Sequence, residues 1–180
     1  MTKRNWTPLP LIKEVINCLH GSQFFSKMDI CWRFNNICIK EGDEEKAVFL
    51  TSEGLFKPMV MFFSLTDSPA TFQSMMNVIL QPLVVKRKVL VYVDNIIIFT
   101  KTIEEHQQII HKVLKILQQN NLYLKPEKCK FEKEEVDYLG VIVSHDKVAV
   151  NPTKVKAISE WPQPKKLVEV QEFIGYLNFY

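Results

Sequence analysis

The chain has 180 residues, is 47% hydrophobic and carries a formal net charge of +3. That is material for one large domain, or for one domain plus a fragment of another. The mildly basic balance permits a nucleic-acid partner without implying one, and no apolar run approaches the roughly 18 residues needed to span a membrane. The start, Met1-Thr2-Lys3-Arg4-Asn5-Trp6, lacks the apolar core of a signal peptide. Cys18, Cys31, Cys38 and Cys129 show neither a CxxC pair nor metal-ligand spacing. They read as reduced, partly buried thiols of an intracellular protein.

In chain order, Leu11, Ile12, Val15, Ile16 and Leu19 fall at helical spacing within 11–20, and Gly21 ends the pattern. Residues 23–30 read as a strand carrying Phe24, Phe25 and Asp29. Residues 34–40 and 46–51 read as a hairpin around Glu41-Gly42-Asp43-Glu44, followed by a strand over about 56–63. Asp67 or Ser68 is positioned to cap a helix with Pro69 in its first turn, running to about Leu80. A hairpin over 89–100 comes next. Thr102, with Glu105 three residues on, predicts a capped amphipathic helix through Leu117, stopped by Asn120-Asn121. Short strands are expected near 122–124, 136–143 and 147–150, then helices from about 152 and 167. The one compositional break, Trp161-Pro162-Gln163-Pro164-Lys165-Lys166, reads as a connector between a domain over 1–160 and a terminal segment over 161–180.

The hairpin Val91-Tyr92-Val93-Asp94-Asn95-Ile96-Ile97-Ile98-Phe99 is the most informative stretch. Asp94-Asn95 between two apolar runs predicts a tight two-residue bend, and a carboxylate in such surroundings is costly unless something uses it. Asp29 ends another apolar strand. Antiparallel pairing of the two would bring Asp29 and Asp94 to one edge of a sheet. Two converging acid groups suit Mg2+, a hard ion that takes one or two carboxylates plus substrate phosphates. A pair of such ions activates the attacking hydroxyl and stabilises the leaving oxygen in phosphoryl transfer. On spacing alone, the two aspartates read equally well as ordinary turn residues.

Several further stretches carry a resemblance. They are Thr7-Pro8-Leu9-Pro10-Leu11-Ile12, Phe25-Ser26-Lys27-Met28-Asp29-Ile30, Lys40-Glu41-Gly42-Asp43-Glu44 and Leu65-Thr66-Asp67-Ser68-Pro69-Ala70-Thr71-Phe72-Gln73. Leu122-Tyr123-Leu124-Lys125-Pro126-Glu127-Lys128-Cys129, Tyr138-Leu139-Gly140 and the run from Val170 to Tyr180 continue the series. In this order, and with Tyr92-Val93-Asp94-Asn95 for the Tyr-x-Asp-Asp box, they resemble the reverse transcriptase of Ty3/gypsy-type LTR retrotransposons along nearly the whole chain. The resemblance implies an α+β fold, the right-hand polymerase palm with partial fingers, and the start of a thumb or connection segment. It implies RNA-directed DNA polymerase ancestry, with dNTPs added to a primer 3′-OH by two Mg2+ (or Mn2+) ions.

The roles carried over are specific. Asp29 and Asp94 are the implied metal ligands and, with Asn95 at the third acidic position, the implied catalytic set. Ile30 lends a backbone carbonyl beside Asp29. Phe34 matches the aromatic that packs under the sugar of the incoming nucleotide, and Phe63 and Ser64 fall where the nucleotide pocket is lined. Lys125 matches a proton donor to pyrophosphate, although a solvated loop charge is the commoner fate of a lysine. Gln73 lies on the helix facing the template, and Tyr138, Leu139 and Gly140 match the region that grips the primer. Implied partners are an RNA or DNA template-primer, dNTPs and other parts of a Pol polyprotein. The implied setting is intracellular, in the cytoplasm, a virus-like particle or the nucleus, with no membrane.

The departures from the family pattern are as informative. Asn95 replaces an acid and removes a negative charge. Ser64 and Arg33 stand where Gly is usual, Cys31 and Cys38 where Arg is frequent, and Val78 where Asp is usual. Asp→Asn, Gly→Ser, Gly→Arg and Arg→Cys each need one G→A or C→T transition, the footprint of cytosine deamination. Val78 and Asp67 do not fit that class. The basic fingers segment that precedes the Pro-Leu-Pro lead-in in the family is not in this sequence. The expectation is a truncated, degenerate copy, inactive or very weak as a polymerase. The alternative is a non-enzymatic relic, or an RNA- or protein-binding module using the old template cleft.

Overall fold

The computed structural model describes residues 5–145 and 147–179. Its centre is an antiparallel sheet of β1 (Phe24–Asp29), β4 (Val89–Tyr92), β5 (Asn95–Thr100) and β6 (Lys130–Lys133), in the order β4-β5-β1-β6. The apolar run in β5 does not alternate because both faces of this strand are covered. On one face Met28, Ile30, Val89, Val91, Ile96 and Ile98 pack against Phe72, Met76 and Leu80 of α2 (Ser68–Ile79) and its C-cap, and against Ile109, Val113 and Leu117 of α4 (Ile103–Gln119). Both helices thus lie on one side of the sheet. On the other face Phe25, Ile97 and Phe99 meet Val15 and Leu19 of α1 (Ile12–Leu19), together with Val136, Tyr138 and Val143.

Those last three residues come from a second antiparallel sheet, β7 (Glu135–Tyr138), β8 (Val141–Ser144) and β9 (Val148–Val150). The single strand expected over 136–143 is two strands, because Leu139 and Gly140 turn the chain with φ of 49° and 88°. Two successive positive φ values are the sense of a tight two-residue hairpin. The two sheets are tied by charge. Lys27 on β1 and Lys130 on β6 both reach Asp137, at 3.1 and 2.5 Å. Burial alone would raise the Asp137 carboxyl, but the two ammonium groups outweigh it and hold the group below its ordinary value.

The expected hairpin around Glu41–Glu44 does not form. Local side-chain bonds compete with a ladder there. The Asn36 amide folds back onto the carbonyls of Cys31 and Arg33. The Gly42 N–H donates to the Glu44 carboxylate at 2.8 Å. Two short 3-10 turns, Arg33–Asn36 and Glu44–Ala47, replace the strands. Residues 37–39 instead bond to 59–61, through Ile39 N–H to Met59 O and Met61 N–H to Ile37 O. The true hairpin is β2 (Phe49–Thr51) with β3 (Gly54–Phe56). β6 was not anticipated, and Leu122–Leu124 contributes only a bridge from Leu124 to Ile30.

Helix α3 (Gln81–Val84) follows α2 directly, and α5 (Pro152–Ser159) and α6 (Leu167–Phe179) close the chain. Thr102 caps α4 by accepting from the Glu105 N–H, as its spacing predicts. Trp161, in the Pro-rich connector, sits with ring centroids 5.6 and 5.2 Å from Phe173 and Tyr176 of α6. Tyr180, at the end of the family-like run, lies outside the described residues, as do the first four residues and Asp146. No helix among the described residues is long and apolar enough to cross a membrane.

One buried polar network fixes α4 to the sheet. His106 is fully buried between Ser26, 2.7 Å from Nε2, and Thr100, 2.9 Å from Nδ1. The Glu132 N–H donates to the same Ser26 hydroxyl at 3.0 Å. Burial lowers the His106 pKa, against a weaker opposing pull from Glu132 and Glu105. In the unfolded chain this histidine takes a proton near pH 6.5. Between that pH and the depressed folded value the unfolded state binds more protons, so stability falls as pH drops. Urea unfolding at pH 7.5, 6.0 and 5.0 should show this loss beginning below about 6.5. His106→Gln, which keeps both polar contacts without the titration, should flatten it. Equal slopes in the two proteins would exclude His106 as the source.

Candidate active site

The tip of the β4–β5 hairpin is built one residue earlier than the sequence suggests. Tyr92 pairs with Asn95, so the two-residue turn is Val93-Asp94 and Asn95 opens β5. The positive φ falls on Val93, at 53°. That is a strained conformation for a β-branched residue. The compensation comes from Gln73 on α2, which is fully buried. Its carbonyl accepts from the Val93 N–H at 2.7 Å, and its amide donates to the Val91 carbonyl at 3.1 Å and to Asn77 at 2.9 Å. Gln73 is therefore a positioning residue for the hairpin.

Register brings the two aspartates together. Asp29 on β1 stands opposite Asn95 on β5. The Ile30 N–H donates to the Asp94 carbonyl at 3.0 Å, and the Lys125 N–H donates to the Asp29 carbonyl at 2.9 Å. Three chain segments thus meet at one sheet end, and the expected convergence of Asp29 and Asp94 is present. Their side chains are only 6% and 4% exposed. Burying two carboxylates costs several kcal/mol each unless cations accompany them.

The cations are supplied by the chain. Arg33 Nε lies 2.5 Å from Asp94 Oδ2. The Asn95 amide approaches Asp94 Oδ1 at 3.4 Å. Lys125 Nζ is 2.9 Å from Asp29 Oδ1, and Lys128 Nζ is 3.8 Å from Asp29 Oδ2. Asp29 Oδ1 accepts no well-directed hydrogen bond, so its contact with Lys125 is an ion pair without hydrogen-bond geometry. All four carboxylate oxygens face a protein cation or donor. Among the described residues no group of three His, Cys, Asp or Glu side chains could hold a metal ion. Mg2+ requires near-octahedral oxygen ligands at about 2.1 Å. The residues as arranged do not fit a pair of such ions.

The other expected site residues divide. Ile30 is buried and Phe34 nearly so, its ring edge-to-face on Phe72 at 6.0 Å, as part of the α2 packing. Phe63 and Ser64 are exposed in the loop before α2. Tyr138 is fully buried, so its side chain cannot touch a primer directly. Its hydroxyl donates to the Asn95 carbonyl at 3.3 Å, and burial pushes the phenol well above its ordinary range. Leu139 and Gly140 carry the adjoining turn. Leu139 shares with Tyr92, Leu11 and Ile16 an open groove of about 530 Å³. Sequence reasoning missed the Arg33–Asp94 and Lys128–Asp29 pairs.

Gln73→Leu removes both hairpin contacts while keeping bulk. It should leave the Val93 N–H and Val91 carbonyl unpaired and cost roughly 2–4 kcal/mol, read as a lowered urea midpoint at unchanged slope. An unchanged midpoint would show that the hairpin tip holds without α2.

The family described as reverse transcriptase (RNA-dependent DNA polymerase) matches residues 2–143. The chain is 40% identical over 173 residues to the retrovirus-related Pol polyprotein from transposon 297 of Drosophila melanogaster, covering 96% of this chain and 16% of that one. It is 33% identical over 177 residues to the transposon Tf2-7 polyprotein of Schizosaccharomyces pombe (strain 972 / ATCC 24843), covering 98% of this chain and 13% of that one. Among solved structures, the foamy viral protease-reverse transcriptase in complex with an RNA/DNA hybrid superposes with a TM-score of 0.88 at 22% identity, over 97% of this chain and 23% of that one. A form of the same protein in complex with double-stranded DNA gives 0.90 at 22% identity, over 98% and 31%. That likeness establishes the α+β polymerase fold. The chain thus spans under a fifth of these curated relatives, and by the family match over residues 2–143 it belongs to the reverse transcriptase (RNA-dependent DNA polymerase) family.

Proposed function

We propose that residues 1–160 are the palm and partial fingers of an RNA-directed DNA polymerase, and that 161–180 begin the next subdomain. In this reading the domain holds a primed RNA or DNA template inside the cell. It adds dNTPs to the primer 3′-OH very weakly or not at all. The observation that carries the reading is the pairing of Asp29 with Asn95 across β1 and β5, which sets Asp29 and Asp94 side by side at one sheet end. The foamy viral relatives named as complexes with an RNA/DNA hybrid and with double-stranded DNA support a nucleic-acid partner of that kind.

The reduced chemistry follows from charge. Reverse transcriptases work with divalent cations, and phosphoryl transfer depends almost wholly on positioning and on stabilising charge. Here a neutral amide, Asn95, occupies the third acidic position, and Arg33 already engages Asp94. What the chain's residues supply is an ordered sheet end, a buried carboxylate pair and the basic side chains of Lys125 and Lys128 beside them. A role for Lys125 as proton donor to pyrophosphate, and for Phe34, Phe63 and Ser64 around the nucleotide, belongs to the same reading.

Gel-shift and primer-extension assays on primed RNA and DNA templates test it, with Mg2+ and Mn2+ in parallel. The protein should retard the duplex with an affinity that falls steeply with salt, while nucleotide incorporation stays near background. Asn95→Asp alone should not restore extension, since Arg33 remains on Asp94. Sustained extension by the unaltered chain would overturn the catalytic defect. Failure to bind any primed template would overturn the palm reading itself.

A further inference from the structure

We propose that Arg33 is a resident cation: its guanidinium stands beside Asp94 in place of a divalent ion, and it keeps the carboxylate pair charge-balanced and closed to metal with nothing bound. The inference rests on the polymerase-palm reading and adds to it a specific cause for the defect, one located outside the Tyr-Val-Asp-Asn box.

Charge bookkeeping is the first support. Asp29 and Asp94 bring two negative charges into a buried sheet end, and Arg33 and Lys125 bring two positive ones to within 2.5 and 2.9 Å. Lys128, more distant at 3.8 Å, adds a third cation at the rim. A metal ion entering here would have to expel a guanidinium from direct contact with its own ligand. Attraction between unit charges in direct contact, even when screened as strongly as in water, corresponds to several-fold weaker metal binding.

The second support is backbone geometry. Trp32 and Arg33 both have positive φ, 57° and 37°. That region favours glycine and strains other residues. The loop is nonetheless held closed, by the Asn35 N–H on the Trp32 carbonyl, the Cys31 N–H on the Tyr123 carbonyl and the Asn36 amide on Cys31 and Arg33. This conformation directs Arg33 onto Asp94 in the β4–β5 turn, beside the end of the strand the chain has just left. Half of the Arg33 side chain remains exposed, against 4% for Asp94. The guanidinium therefore reaches in from solvent and is not part of the packed core.

Asn95 is the third support. With a guanidinium already on Asp94, a second carboxylate at the hairpin tip would lie unbalanced beside it, and like charges at short range are unfavourable. The neutral amide can donate toward Asp94 Oδ1 instead. Positions 33 and 95 thus form one electrostatic unit, and their effects on metal binding should not add.

The test uses the full 180-residue chain, with Mn2+ as the probe, read by electron paramagnetic resonance of the free ion and by thermal unfolding with and without it. The unaltered chain should show no saturable binding at micromolar Mn2+. Arg33→Gly should bind one ion at least about tenfold more tightly than the unaltered chain. Adding Asn95→Asp should tighten this further, while Asn95→Asp alone should gain little. Arg33→Lys, which keeps the charge, should behave like the unaltered chain. Arg33→Gln, which keeps the length, stands in if the glycine variant does not fold by circular dichroism. Saturable binding by the unaltered chain equal to that of Arg33→Gly, or no gain in either folded neutral variant, overturns the resident-cation proposal. A gel shift on primed template runs beside each titration. Retained template binding with no gain in Mn2+ sinks only the Arg33 proposal, and loss of template binding by the unaltered chain sinks the palm reading whatever the metal does.

Discussion

Two carboxylates buried at one end of one sheet are the constraint around which the rest of this molecule is arranged. They meet because β1 and β5 pair with Asp29 opposite Asn95, and because the Ile30 N–H closes on the Asp94 carbonyl. Neither group can be taken out of water without compensation. Compensation arrives from three separate segments: the 3-10 turn after β1 with Arg33, the hairpin itself with Asn95, and the turn after α4 with Lys125 and Lys128. The Lys125 backbone also bonds to Asp29. Its ammonium is therefore delivered by the same contact that closes the chain onto β1.

The precision of that sheet end depends on packing far from it. β5 is covered on both faces, by α2 and α4 on one side and by α1 and the second sheet on the other. A strand buried on both faces cannot slip by one residue without moving its apolar set, but here both sets are apolar, so period alone does not pin the register. Polar contacts pin it. Gln73 reads the backbone at Val91 and Val93, Tyr138 reaches the Asn95 carbonyl, and His106 joins Ser26 on β1 to Thr100 on β5. Each is buried, so each is costly to leave unpaired. Together they hold Val93 in a left-handed conformation that its branched side chain disfavours.

This division of labour explains which residues were legible beforehand. Asp29, Asp94 and the amphipathic helix after Thr102 announce themselves, because a charge at the end of an apolar strand and a capping box are local signals. Gln73 and Tyr138 are legible as motif positions, but not for the internal contacts they make. As members of sequence motifs they suggest surfaces that touch a nucleic acid, whereas the fold turns both side chains inward to hold the hairpin. The bend at Asp94-Asn95 was off by one residue, since the choice between Val93-Asp94 and Asp94-Asn95 is made by pairing Tyr92 with Asn95 and not by turn propensity. The segment 34–51 misled most. Its alternating apolar residues suit a strand, but Asn36 and Glu44 satisfy nearby backbone groups themselves, an alternative to a ladder that periodicity does not register.

The sequence by itself determined the family, the α+β class, the order of most elements and the two aspartates as the chemical focus. All of these are written in motifs, periods and caps that act over a few residues. Only the tertiary structure decided that Arg33 lies on Asp94, that Lys128 joins Lys125 at Asp29, and that Gln73, His106 and Tyr138 serve the hairpin from within. Those contacts reach across 18 and 20 positions from Gln73, 43 from Tyr138, 61 from Arg33 and 80 from His106 to Ser26. An ion pair or a buried hydrogen bond depends on distance and dielectric in space, and the chain specifies these only after it has folded.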